Sequence, residues 1–182
     1  MLNPLDDTQV DIEKVLLPEI QTLKTFAEQT FLDTYASQNT EEDMANYLAD
    51  HFNLKLLTEE VISSDAEYYL AKIEKEVVGY FKLNYGQAQT EVVDENAVEI
   101  ERIYASTQYH GKGVGKVLFE SILQIAQSRA ASFIWLGVWE KNPRAIRFYE
   151  KCGFVEFDKH VFVLGTDEQT DLMMKLELKS NS

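Results

Sequence analysis

The sequence predicts a single α/β domain of the α+β kind, residues 1–182, with a mixed, largely antiparallel central β-sheet flanked by helices. Three observations predict it. Aromatic and β-branched runs with period-two alternation cluster in the middle and at the end of the chain. Apolar residues at helical spacing fill the first third and return twice between later strands. No repeat, low-complexity tract or Pro/Gly/Ser linker divides the 182 residues.

A short strand is expected near Val10–Val15. Pro18 then opens a helix with Ile20, Leu23, Ala27 and Phe31 on one face. In "NTEEDMANYLADHF", Asn39 or Thr40 suits an N-cap and acids fill the first turn, so a second helix follows. A shorter helical piece covers Lys55–Ile62. Tyr68–Glu74 and Val77–Leu83 read as a hairpin turning at Glu74–Lys75, and 85–96 as a polar loop. "AVEIERIYA" is a strand with period-two alternation, which puts Glu99, Glu101, Ile103 and Ala105 on one face. After a glycine loop, Val114, Val117, Leu118, Ile122 and Ile125 mark a strong amphipathic helix. "FIWLGVWE" is a buried strand. The next helix has Asn142 as N-cap, Pro143 at its first position and Gly153 just beyond its end. "FVEFDKHVFVLG" and "TDLMMKLEL" are the last two strands.

The balance of 17 basic against 31 acidic residues gives a net charge of −14. A surface this acidic disfavours nucleic acid, which is bound by neutralising phosphates. It favours cationic small molecules or basic peptides. The lone Cys152 excludes a disulfide framework and fits a reducing compartment. "MLNPLDDTQVDIEK" lacks the basic and apolar regions of a signal peptide, and no apolar run reaches the roughly 20 residues that span a bilayer. A cytoplasmic protein with no membrane partner is expected. His51, His110 and His160 show no metal spacing, and His160 sits in strand alternation as a structural residue.

"STQYHGKGVGKVLFE", residues 106–120, carries the strongest chemical signal. Strand, glycine loop and helix N-terminus together make a phosphate site, because the first-turn amides are unpaired and glycines admit close approach. Gly111, Gly113 and Gly115 are too closely spaced for a Walker A loop, and Val117 follows Lys116 where Ser or Thr is required. The GxGxG spacing, without an acid about 20 residues on, also departs from the dinucleotide fingerprint.

Gln108 to Gly113 matches Q/R-x-x-G-x-G/A, and "NPRAIRFYEKCGF", residues 142–154, matches N-x-x-A-x-x-F-Y-x-K-x-G-F. With these two motifs and its element order, nearly the whole chain resembles the GCN5-related N-acetyltransferases. Within that family its later segments are most similar to PaiA-type spermidine/spermine N-acetyltransferases. The resemblance implies central strands that splay apart around the pantetheine arm of acetyl-CoA, the co-substrate. It implies cofactor contacts from Ile103, Tyr104 and Ala105, then from His110, Gly111, Lys112, Gly113, Val114, Gly115 and Lys116 around the pyrophosphate. Asn142 and Lys151, with Arg144, would approach the cofactor from the next helix. Many relatives have Arg where this chain has His110, which puts a permanent charge there in doubt. Tyr149 is implied as the acid that protonates the leaving thiolate. Glu101, or else Glu99, would deprotonate the incoming ammonium, directly or through water, with Glu101 favoured. The implied acceptor is a small primary amine such as spermidine or spermine. A protein N-terminus or lysine, or acyl-CoA sensing without turnover, stays open. The acidic second helix would border the acceptor. A homodimer is also implied, with the strand-rich C-terminus offering a pairing edge.

Overall fold

The computed structural model describes residues 9–165 and 167–178. The elements run β1 (Asp11–Lys14), α1 (Ile20–Tyr35), α2 (Glu41–His51), α3 (Leu54–Ile62), β2 (Ala66–Ile73), β3 (Glu76–Tyr85), β4 (Val98–Ala105), α4 (Val114–Ser128), β5 (Phe133–Trp139), α5 (Pro143–Lys151), β6 (Val155–Leu164) and β7 (Asp167–Glu177). Each expected strand and helix is present. The helical piece at Lys55–Ile62 is a full third helix, capped by Asn53, whose side chain accepts from the Leu56 amide. Thr40, not Asn39, caps α2 by accepting from the Asp43 amide. A single 3-10 turn at Leu17–Glu19, holding Pro18, leads into α1.

The strands form one sheet in the order β1-β2-β3-β4-β5-β7-β6, all neighbours antiparallel except β4 and β5. That parallel pair is in register only at Val98 with Ile134 and Glu99 with Trp135. Beyond those two pairs the strands part, as expected. β6 is an edge strand, with Val161 and Val163 exposed.

Two large cores cover the sheet, beside a small cluster of Ala97, Phe133, Trp135 and Met173. On one face Val114, Leu118 and Ile122 of α4 are fully buried against Phe81, Leu83, Ile100 and Ile134. Burial of each such side chain contributes about 1.5–3 kcal/mol. On the other face Leu23, Ala27 and Phe31 of α1 pack with Phe52, Leu57, Leu70 and Tyr80. At the edge of the first core, Glu67 ties the sheet together. Its carboxylate accepts from Lys14 at 2.6 Å, Tyr85 at 2.7 Å, Tyr69 at 3.0 Å and Arg129 at 3.0 Å. Among the described residues no helix is long and apolar enough to cross a membrane, and no group of His, Cys, Asp and Glu is arranged to hold a metal ion.

One irregularity decides where the site's carboxylates point. Lys82 pairs with Arg102, but Leu83 pairs with Ile100, so Glu101 is the extra residue of a β-bulge. The bulge shifts the alternation by one position. Before it, Val98 and Ile100 face the α4 core; after it, Ile103 and Ala105 do, while Tyr104 joins the α1–α3 side. Regular alternation had grouped Glu99 and Glu101 with Ile103 and Ala105. The bulge separates them, and Arg102 comes to lie over the Phe52 ring, 4.2 Å from its centroid, on the α1–α3 face.

Candidate active site

A continuous cavity of about 1080 Å³ opens where β4 and β5 part. At one end are His110, Gly111, Gly113, Gly115 and Lys116; in the middle are Ile103, Tyr104, Ala105, Asn142 and Tyr149. At the other end are Phe31, Tyr35, Tyr47, Glu99, Glu101 and Asp171. The fold thus brings together most of the residues named from the sequence. Lys112, Val114 and Lys151 are not on the wall: the Lys112 ammonium lies 5.3 Å from the Tyr109 ring centroid, Val114 is fully buried under the sheet, and Lys151 is exposed in the last turn of α5.

The glycine end is built to receive an anion. Gly113, at φ 98°, caps α4 in a left-handed conformation, and no side chain satisfies the helix's first amides. Gly111 is also left-handed, at φ 75°, and space for a side chain is open around it. Among the described residues the amides of Gly111, Gly113, Val114 and Gly115 find no protein acceptor, while those of Lys112, Lys116 and Val117 do, and the free amides at the positive end of the helix dipole fit a pyrophosphate. His110 lacks the fixed charge of an arginine, yet Arg144 supplies one beside it. The Arg144 guanidinium lies 3.0 Å from His110 Nδ1, while His110 Nε2 lies 3.0 Å from the Ala105 carbonyl. Asn142 caps α5 by accepting from the Ala145 amide at 3.1 Å, and it reaches the cavity wall at the same time.

Tyr149 is held by the way α5 ends. Gly153 at φ 96° lets its amide donate to Glu150 and the Phe154 amide to Tyr149, a Schellman closure. This folds Phe154 back onto the Tyr149 ring, 5.6 Å between centroids, with Phe148 on another side at 5.4 Å. Burial, then the neighbouring Tyr104 and Cys152, push the Tyr149 phenol above its ordinary value, so it keeps its proton at neutral pH.

The two strand glutamates differ. Glu101 meets Lys82 at 2.5 Å and Arg102 at 3.5 Å, and accepts from Asn84 at 2.7 Å. Burial works against its charge, but Arg102, Lys82 and Asn84 outweigh it and hold the carboxyl down to about 2. Glu99 is buried and accepts from Asn84 at 3.0 Å, from the Thr90 amide at 2.8 Å and from the Thr90 hydroxyl. Burial dominates there and raises it. Glu99 thereby pins the 86–97 loop so that Thr90 and Glu91 join the wall.

Sequence reasoning missed the far wall. The acids of α2 do not line it; α2 contributes Tyr47 and His51, with Tyr47 stacked on Phe31 at 4.5 Å. β6 and β7 contribute His160 and Asp171, paired at 3.5 Å, and β5 contributes Trp139. These residues meet only because β7 is inserted between β5 and β6, and no local motif announces that order.

Comparison with known proteins agrees with this geometry. The family model described as "Acetyltransferase (GNAT) family" matches residues 26–154. The chain is 40% identical over 171 residues to an uncharacterized N-acetyltransferase in the pepI 3′ region of Lactobacillus delbrueckii subsp. lactis, spanning 94% of this chain and 99% of that protein. It is 24% identical over 149 residues to the spermidine N(1)-acetyltransferase of Thermoplasma acidophilum, spanning 80% and 88% of the two chains. In structure it is similar to the PaiA N-acetyltransferase of Thermoplasma acidophilum in complex with coenzyme A, with a TM-score of 0.76, 22% identity and coverage of 93% and 99%. A match running from within α1 to just past α5, over strands that part beside a glycine loop, makes this chain a member of the GNAT acetyltransferase family, with acetyl-CoA as its co-substrate.

Proposed function

We propose that this acetyltransferase acylates a primary amine, and that the amine is a polyamine such as spermidine or spermine. One observation carries the reading: the cavity is continuous from an anion-receiving glycine loop to a chamber of aromatic rings and carboxylates. That chamber suits an alkylammonium group, by charge and by cation–π attraction. Two more distant relatives, in Thermoplasma acidophilum and Bacillus subtilis, are named for spermidine or spermine, the second 29% identical over 82 residues.

Acetyl-CoA enters as a substrate. Amides at Gly111, Gly113 and Gly115 receive its pyrophosphate, supported by the fixed charge of Arg144 beside His110. Ile103, Tyr104 and Ala105 lie along the pantetheine arm. The neutral amine then attacks the thioester carbonyl directly. The new N–C bond forms, the C–S bond breaks, the Tyr149 hydroxyl gives its proton to the departing thiolate, and the proton then shed by the acylated nitrogen returns through solvent to the tyrosinate. Glu99, raised by burial, takes the ammonium proton through water: Asn84 and Thr90 supply three donors, two on one oxygen and one on the other, which leaves a lone pair to accept it. Glu101, held at about 2, serves as a fixed negative charge. A cytoplasmic setting fits a reaction drawing on acetyl-CoA and a chain whose one cysteine, Cys152, is unpaired.

The second reading is acetylation of a lysine or N-terminus in a protein, favoured by the open acidic surface. Release of CoA thiol, followed across an amine panel that includes basic peptides, separates the two. Polyamines accelerate release most if the proposal holds. Faster turnover with peptides would transfer the assignment to a protein substrate, and release unaffected by any amine would end the reading.

A further inference from the structure

The acceptor end of the cavity holds one carboxylate whose hydrogen-bonding needs the protein leaves largely unmet. Glu99 already has three protein donors, and Glu101 is neutralised by Lys82 and Arg102. Asp171 has His160 as its sole side-chain donor among the described residues, at 3.5 Å, although its side chain is only 15% exposed. A carboxylate drawn out of water with so little compensation is costly, unless a cation completes it.

Its surroundings suit an organic cation. Asp171 pairs in register with Trp139 on one side and with His160 on the other, so the three side chains form a row on one face of the sheet. Across the cavity, Tyr35 and Tyr47 both sense the Asp171 charge. Tyr35 lies 6.4 Å from Trp139. Gly137 makes the room: a Cβ there would come within 3.2 Å of both the Asp171 carboxylate and the His160 ring. The other imidazole nitrogen of His160, Nδ1, is 3.0 Å from a carboxylate oxygen of Glu91 on the loop side.

Position separates this carboxylate from the reaction itself. The acyl arm passes between β4 and β5, and β7 lies one strand farther on, about 5 Å across the sheet. We propose that Asp171, oriented by His160, holds the second, non-reacting ammonium of a diamine or polyamine, and so sets a preference for acceptors with two cationic nitrogens. The inference rests on the amine-acetyltransferase reading above.

The test compares kcat/KM of the full chain for 1,4-diaminobutane and for n-butylamine at saturating acetyl-CoA. The wild type is expected to favour the diamine. Asp171→Asn should lower diamine kcat/KM about 30-fold, mainly through KM, while the monoamine value changes less than about twofold. The KM for acetyl-CoA should stay constant. Gly137→Ala, which crowds the same pair from the β5 side, should reproduce the selective loss and carries the test if the Asn variant does not fold. Equal losses for diamine and monoamine, an unchanged diamine value, or a wild type indifferent to the second nitrogen would each overturn the inference while leaving amine acetylation intact. If the wild type acetylates no amine at all, the broader reading fails and takes this one with it.

Discussion

Tyr149, the proposed acid, is singled out by a motif, but its protonation depends on its setting. The Schellman turn at Gly153 fixes its ring, and burial keeps its proton on. Replacing it with Phe should therefore cut turnover about 10²-fold and leave CoA affinity, measured by calorimetry, nearly unchanged. Because the phenol is raised above its ordinary value, Tyr149 should contribute no alkaline fall in rate up to pH 9. Glu101 is the opposite case: its type and spacing were visible, but its ion-pair setting was not. A bulge, which no alternation pattern predicts, turns it toward Lys82 and Arg102. Its folded value of about 2 lies below the ordinary 4.5, so its stabilising effect is full above pH 4.5 and is lost as pH falls toward 2. Glu101→Gln should destabilise the fold by about 3 kcal/mol at pH 7. In urea titrations that penalty should shrink as the pH approaches 2.

At the scale of elements, caps and periodicity carried the prediction well. Thr40, Asn142, Pro143 and Gly153 signal helix ends by local chemistry, and each acts where that chemistry places it. The glycine loop divides by backbone geometry. Gly113 at φ 98° needs the left-handed region, whereas Gly115 lies inside α4, where an added Cβ would sit 3.8 Å from the Phe148 ring, an ordinary contact. Gly113→Ala should thus cost about 1–2 kcal/mol in strain and weaken CoA binding. Gly115→Ala should leave thermal stability close to that of the wild type. Similar melting temperatures for the two variants would contradict this account of the α4 cap.

For the whole molecule, the sequence made the sheet-and-helix composition and the glycine loop at one end of the cavity readable, because both are written in short-range patterns. The opposite end, proposed to take the acceptor, was not readable. Its wall joins α1, α2, the 86–97 loop, β6 and β7, which are distant in the chain and meet only through the sheet order and the cover of α1 and α2. His160, expected to be structural, and Asp171, not singled out at all, sit on that wall for this reason. The acidic excess pointed toward a cationic acceptor but could not locate it, and the acids of α2, the expected wall, lie elsewhere. The central claim is that the two ends of one cavity join acetyl-CoA to a small polyamine. Mass spectrometry of a reaction containing acetyl-CoA, spermidine and an equimolar basic peptide tests it most directly. The account predicts acetylspermidine formed in proportion to CoA release with the peptide unmodified; acetylated peptide with unchanged spermidine would contradict it.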